Sequence, residues 1–219
     1  MYQYILFDLD GTLTDPKIGI TTCVQYALHK MGIEEPDPDR LEPFIGPPLI
    51  DSFREFYGMN EEEAVRAVEY YRERFSTVGL FENEVYPGIP EMLGMLKEKG
   101  FTLAVATSKP EEYSIRILEH FGLDSYFQLV GGADMTETRV RKGDIIAYTL
   151  NRLGVNPKET PVVMVGDRKH DVIGAKENQL PCVGVLFGYG SREELREAGA
   201  DALAESVKEL GEILAEFTL

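Results

Sequence analysis

Basic charge is scarce in this chain of 219 residues: 22 Lys and Arg face 38 Asp and Glu, a formal charge of −16 at pH 7. That surplus disfavours a binder of nucleic-acid polymers or of anionic membranes. It leaves room for a small anionic substrate, because the field inside a cleft can oppose that of the whole surface. Long apolar runs are also missing. Nothing approaches the ~20 residues a membrane span needs, and Asp8 and Asp10 interrupt the first apolar run before it could act as a targeting segment. Cysteine is reduced to Cys23 and Cys182, far apart and without a metal-ligand spacing. They are expected to be reduced thiols of a soluble, cytoplasmic protein. There is no internal repeat or low-complexity segment, and no sequence feature reports an oligomeric state.

What the chain does have is a near-average share of hydrophobic (43%) and charged (27%) residues, enough for a packed core. Its length exceeds one minimal domain. Short apolar runs recur: "YILF" before Asp8, "FTLAVAT" (101–107), "FQLVGG" (127–132), "PVVMVGD" (161–167) and "CVGVLFG" (182–188). Nearly continuous apolar character suggests strands buried on both faces, as in a parallel sheet. Between them lie helical stripes: Ile89, Met92, Leu93 and Leu96, ended by Gly100; Ile115, Leu118 and Phe121; and Ile145, Ile146, Thr149, Leu150 and Leu153, stopped by Gly154. Ser191 with Glu194 fits a capping box, and Leu210 and Leu214 mark a last amphipathic helix. The alternation predicts an α/β fold with a doubly wound, Rossmann-like parallel sheet. From about Asp15 to Glu82 it breaks. Only helical periodicity is present there (Ile20, Val24, Ala27, Leu28 and Met31; Ala64, Val68, Tyr71 and Phe75), with Asn60 and Glu63 as a helix start and Pro-rich punctuation between. The expected organisation is a discontinuous core, 1–14 and 83–219, with a helical insertion at 15–82.

The stretch "YILFDLDGTLTD" places Asp8 and Asp10 at the end of the first strand. Residues i and i+2 of a strand point to one side, so both carboxylates project from the edge where open α/β sheets place their ligands. Two close carboxylates resist ionising together, which a divalent cation or a retained proton relieves. One could then act as metal ligand and nucleophile and the other as proton donor. Gly11 and Thr12 form a turn whose N–H groups could face an anion. A solvated strand end with an Asp-Gly turn remains the simpler alternative at this point.

"DLDGT" after an apolar strand resembles the first motif of the haloacid dehalogenase-like hydrolases, mostly Mg²⁺-dependent phosphatases acting through an aspartyl-phosphate. That resemblance implies three further positions in order. "LAVATSKP" supplies Thr107, with Ser108 beside it, to hold a phosphoryl oxygen. "TRVRKGDIIAYTL" supplies Lys142 for charge balance, although Gly143 stands where the family often has Pro, and Arg139 and Arg141 are near. "VVMVGDRKHD" supplies Asp167 and, four residues on, Asp171. By the same resemblance Asp8, Asp167 and the Asp10 backbone carbonyl hold Mg²⁺, while Asp171 supports the site. "GYG" (188–190) also matches many relatives and reads as a turn near the site mouth.

The insertion occupies the place of the helical cap of the family's first subclass. Its "FIGPPL" (44–49) turn, with Gly46, is the candidate substrate-facing loop; an ordinary helix connection is the alternative. Arg72 and Arg74 read as a solvated helix face, with an anionic substrate as the other reading. His29 and His120 need no role, whereas His170 lies within the fourth motif. The motifs resemble phosphoglycolate phosphatase-like proteins and 5′-nucleotidases, so a small phosphorylated metabolite is the expected partner. Phe44, Phe53, Phe56 and Tyr57 are candidates for a nucleotide-facing wall or for insertion core. A phosphomutase of the same fold is the enzymatic alternative. Related sugar mutases carry a basic residue just after the Gly of this loop, where Pro47, Pro48 and Leu49 stand here. A non-catalytic phospho-acceptor of the receiver type is the other. Receivers are about half as long and place the acceptor on a later strand.

Overall fold

The computed structural model describes residues 3–135 and 138–216. Its strands in chain order are β1 (Tyr4–Phe7), β2 (Thr14–Asp15), β3 (Glu84–Val85), β4 (Thr102–Pro110), β5 (Leu129–Ala133), β6 (Val162–Gly166), β7 (Cys182–Val185) and β8 (Ala202–Ala204). Six form one parallel sheet in the order β5-β4-β1-β6-β7-β8, and β2 with β3 form a second, two-stranded sheet. β1 is central, and Ile5, Leu6 and Phe7 are fully buried, as expected of a strand covered on both faces. This is the α/β architecture the sequence pattern predicts.

Chain contacts divide the protein into two compact units, Met1–Asp15 with Val85–Leu219, and Pro16–Glu84. In the second unit run α1 (Lys17–Lys30), α2 (Leu49–Tyr57) and α3 (Glu61–Phe75), with 3₁₀ segments at Pro38–Phe44 and Gly79–Phe81. α3 starts on a complete capping box: Asn60 accepts from the Glu63 N–H while Glu63 accepts from the Asn60 N–H. Gly19 and Gly79 let the chain close up. A Cβ on Gly19 would lie 2.2 Å from the Gly79 carbonyl oxygen, and one on Gly79 would lie 2.4 Å from Cys23 Sγ.

In the first unit the crossovers are α4 (Ile89–Glu98), α5 (Glu111–His120), α6 (Lys142–Leu153), α7 (Lys169–Glu177), α8 (Arg192–Ala198) and α9 (Val207–Glu216). Leu6, Ala104 and Met164 from the sheet pack with Ile145, Ile146 and Leu150 of α6 and Val172 of α7. Register then fixes the site. Phe7 pairs with Val105 of β4 and with Val165 of β6, so Asp8, Thr107 and Asp167 all emerge at the carboxyl edge of three adjacent strands.

Four details differ from the sequence expectations. α2 carries no marker recognised in the sequence, and β8 is too short for its alternation to be visible. On α5 the buried face is Tyr113, Ser114, Ile117 and Leu118, while Ile115 is exposed. The true stripe runs through a tyrosine and a serine that an apolar count passes over. At α8 only half of the capping box forms. Ser191 accepts from the Glu194 N–H, but the Glu194 carboxylate instead accepts from Arg168 Nε (2.9 Å) and the Lys169 N–H (2.8 Å).

Candidate active site

Asp8 follows β1, and its carboxylate is fixed at both oxygens. The Leu9 N–H donates to Oδ1 at 2.8 Å, and Lys142 Nζ lies 2.8 Å from Oδ2. Lys142 opens α6 and is buried. Its ammonium also stands 2.8 Å from Asp171 Oδ1 and donates to the Ala106 carbonyl oxygen at 3.2 Å. Burial pulls that ammonium down, but the carboxylates of Asp171 and Asp8 more than offset it and raise it above the ordinary lysine value. The neighbouring cations are occupied elsewhere: Arg141 is exposed and pairs with Glu177, and Arg139 donates to the Gly132 carbonyl oxygen. Gly143 has a packing reason. A Cβ there would fall 1.9 Å from a Glu177 carboxylate oxygen, and one on Gly174 would fall 2.8 Å from the Gly143 nitrogen. Helices α6 and α7 therefore approach closely, carrying Lys142 and Asp171 together.

Asp167 follows β6 and is almost fully buried. Its Oδ2 accepts from the Tyr189 N–H at 2.8 Å, and Thr12 Oγ1 lies 3.4 Å from Oδ1. Burial, then the charges of Asp171 and Asp8, hold its carboxyl well above the ordinary value. Asp171, in the first turn of α7, is pushed up to about 6, by burial first and by Asp8, against the lowering pull of Lys142. Its Oδ2 accepts from the Arg168 N–H at 3.0 Å; its Oδ1 is at ion-pair distance from Lys142 yet has no aligned hydrogen-bond donor. Gly166 makes this placement possible, since a Cβ there would meet the Asp171 side chain at 2.2 Å.

The turn after Asp8 differs in use from the expectation. Gly11 adopts φ +80°, and its N–H donates to the Thr14 carbonyl oxygen, while the Thr12 N–H donates to that of Leu9. Both amides are spent inside the turn. What Gly11 supplies is space: a Cβ would fall 2.2 Å from Asp167 Oδ2. Thr107 is buried, and its Oγ1 accepts from the Lys109 N–H at 3.3 Å; Ser108 is half-buried. Gly46, in the helical unit, has φ +105° and is half-buried. His170 is half-buried, its imidazole pulled below the ordinary value by burial and then by Arg168, Lys169 and Lys142.

Two residues at this edge escaped the sequence reading. Lys109 is buried with its ammonium 2.7 Å from Asp10 Oδ2. The signal was present in "TSKP", but a lysine beside a turn is usually solvated. Tyr189 holds Asp167 through its N–H and donates its hydroxyl to Asp15 Oδ1. The "GYG" turn is wedged in: Cβ atoms on Gly188 or Gly190 would meet the Gly11 carbonyl oxygen or the Asp167 carbonyl oxygen at 2.2 and 1.8 Å.

The donor set fits a divalent cation. Asp8, Asp167 and Asp171 each offer an oxygen, all within 4.8 Å of one another. Four buried carboxyl groups (Asp8, Asp10, Asp167 and Asp171) meet only two buried ammonium groups (Lys109 and Lys142). Hard oxygen donors with a deficit of positive charge suit Mg²⁺ better than a soft or nitrogen-preferring metal.

In the helical unit Arg74 and two of the candidate aromatics are otherwise employed. Arg74 makes a two-pronged ion pair with Glu82, at 2.5 and 2.8 Å, and lies 3.3 Å from Cys23 Sγ. Phe44 and Phe53 are buried against each other with ring centroids 5.0 Å apart, so they are core of this unit; Phe56 is 45% exposed. No helix among the described residues is long and apolar enough to cross a membrane.

Comparison with known proteins agrees with the geometry. The family model for haloacid dehalogenase-like hydrolases matches residues 5–185. A 5′-nucleotidase from Pseudomonas aeruginosa is 49% identical over 195 residues, 89% of this chain and 87% of the relative. A phosphoglycolate phosphatase from Aquifex aeolicus is 34% identical over 195 residues, 85% of this chain and 86% of that one. Among solved structures, one described as a predicted phosphatase from Clostridium acetobutylicum is 47% identical, covers 99% of this chain and 100% of its own, and superposes with a TM-score of 0.96.

Proposed function

The chain belongs to the haloacid dehalogenase-like hydrolases and is a phosphoric monoester hydrolase; from that premise we propose that it cleaves a small phosphorylated metabolite through a phosphoryl group carried on Asp8. The observation that carries this reading is the fixed Asp8 carboxylate, held by the Leu9 N–H and Lys142 at the edge where Thr107, Asp10, Asp167 and Asp171 converge.

Asp8 attacks phosphorus in line with the ester oxygen. The P–O ester bond breaks as the Asp8 oxygen–phosphorus bond forms, and Asp10 gives its proton to the departing oxygen. Asp10 is suited to hold that proton, since burial raises its carboxyl above the ordinary value, against the opposing pull of Lys109. In the second half Asp10 takes a proton from the water that attacks phosphorus and frees Asp8. Lys142 and the Thr107 hydroxyl stabilise the charge spread over the phosphoryl oxygens, and Lys142 also keeps Asp8 aimed. Asp8, Asp167 and the Asp10 carbonyl would hold Mg²⁺, with Asp171 in support; when bound, the cation supplies Lewis-acid charge neutralisation between nucleophile and phosphoryl group. By the family resemblance the helical unit Pro16–Glu84 serves as the substrate-selecting insertion, with Gly46 in its candidate substrate loop.

Nucleoside 5′-monophosphates and phosphoglycolate are the substrate classes to test first, following the names of the two relatives. The decisive measurement is phosphate release from both classes with Mg²⁺, for the wild type and for Asp8→Asn. We expect turnover of one class, loss on chelation, and at least about 10³-fold loss in the variant. Full turnover by Asp8→Asn would overturn the nucleophile.

A further inference from the structure

The parallel pairing of β4 with β5 is regular from Ala104 to Thr107 and then breaks. Thr107 faces Gly132 and Pro110 faces Ala133, so three steps along β4 are matched by one along β5. An irregularity of this kind re-aims the side chains it contains. Here it carries Lys109 inward rather than to solvent: the residue is 9% exposed, and its Nζ stands 2.7 Å from Asp10 Oδ2. Gly132 makes room, because a Cβ there would lie 2.8 Å from the Lys109 carbonyl oxygen and 2.6 Å from Glu111 Cα. Asp10 Oδ1, the other carboxyl oxygen, is buried with no hydrogen-bond partner. A buried ammonium and a local break in the sheet are costly features to keep.

We propose that Lys109 is a positioning residue for proton transfer: its ammonium pins Asp10 through Oδ2 and so leaves Oδ1 as the one oxygen that exchanges a proton with the substrate. A carboxyl group without such an anchor can rotate and present either oxygen, and a misplacement of about 1 Å costs on the order of 10²-fold in a positioned reaction. The anchor rests on the reading of Asp10 as acid and base given above. It adds which oxygen does the work and which residue makes it so.

The test is leaving-group dependence, which a merely structural lysine would not change. Adenosine 5′-monophosphate and phosphoglycolate expel alkyl oxygens that need a proton; p-nitrophenyl phosphate expels a phenolate that needs little help. For Lys109→Met we expect kcat/KM, which reports the transfer to Asp8 and not the dephosphorylation that both substrates share, to fall about 10²-fold on the alkyl ester and less than about fivefold on p-nitrophenyl phosphate. Lys109→Arg, which keeps a cation there, recovers most of the alkyl-ester activity. If Lys109→Met does not fold by circular dichroism, Lys109→Gln takes its place with the same expectation. Asp10→Asn separates the two levels of inference. If its kcat/KM falls selectively on the alkyl ester while that of the Lys109 variants falls equally on both substrates, Lys109 is structural and the proposal fails alone. If Asp10→Asn loses kcat/KM equally on both, the acid role of Asp10 fails and the anchor goes with it.

Discussion

Two regions of this protein, the helical unit and the carboxyl edge of the parallel sheet, treat charge in opposite ways. In Pro16–Glu84, several cations are matched by carboxylates. Arg74 is held by both oxygens of Glu82, Lys17 by Asp39 and Glu42, and Arg40 by Glu35. At the carboxyl edge of β1, β4 and β6 the match fails. Four buried carboxyl groups share two ammonium groups, and Asp10 keeps one oxygen, Oδ1, without a hydrogen-bond partner. A closed set of partners holds a fold in shape and asks nothing of a ligand. An open set at a strand edge is destabilising by itself and persists where a cation or substrate completes it.

The largest effect expected from breaking this contrast is at Lys142. Replacing it by Met removes the cation between Asp8 and Asp171 without adding a polar group. Because the lost ammonium also serves the phosphoryl oxygens, kcat should fall about 10²–10³-fold, measured by phosphate release on a folded sample. A loss below about tenfold would place Lys142 with the structural pairs of the other unit and erase the distinction.

A second test asks what the unmatched carboxyls cost when no cation is present. Asp171 is raised to about 6 from 3.8 and Asp167 is also raised, so folding favours their protonated forms. Their contribution to stability is therefore complete below the ordinary carboxylate value and is lost as pH rises through about 6. For these groups the metal-free protein should unfold more readily at pH 8 than at pH 5. Added Mg²⁺ binds the ionised form and should raise Tm more at pH 8 than at pH 5, by roughly 2–4 °C for each kcal/mol of linkage. An equal rise at both pH values would show that these carboxyls do not hold the ion.

Much of this contrast was legible beforehand, and the parts that were not share a cause. Asp8, Asp10, Thr107, Lys142, Asp167 and Asp171 each sit where a local signal, an apolar strand ending or a helix beginning, meets a residue type with few structural uses there. Lys109 showed only as a lysine beside the "TSKP" turn, a position usually solvated, because its inward turn depends on how β4 slips against β5 some 20 residues away. Tyr189 was visible only as part of a turn, since its N–H reaches Asp167 through the packing of three glycines. The sheet was readable from its apolar runs except for β8, whose three residues are too few for a pattern. α2 was passed over because its mixed aromatic and charged run follows a Pro-Pro turn. In the helical unit, Arg74 looked like any arginine on an exposed helix face. Its partner Glu82 lies beyond the end of α3, where helical spacing gives no warning.

Arg74 also gives the smallest of these effects and the cleanest control. Its ion pair is partly exposed, 21% and 30% for the two side chains, so solvent screens it and its loss should cost about 1–2 kcal/mol, between the values for open and closed pairs. Glu82 is lowered chiefly by its bonds to Arg74, against the penalty of burial. That stabilisation is present above the ordinary carboxylate value and disappears as pH falls through the lowered one. Arg74→Met should therefore speed hydrogen exchange in α1 and α3 at pH 7, leave little difference from the wild type in strong acid, and keep kcat and KM within about twofold. A tenfold rise in KM with unchanged exchange would give Arg74 to the substrate instead, and the helical unit would then hold an open charge of its own.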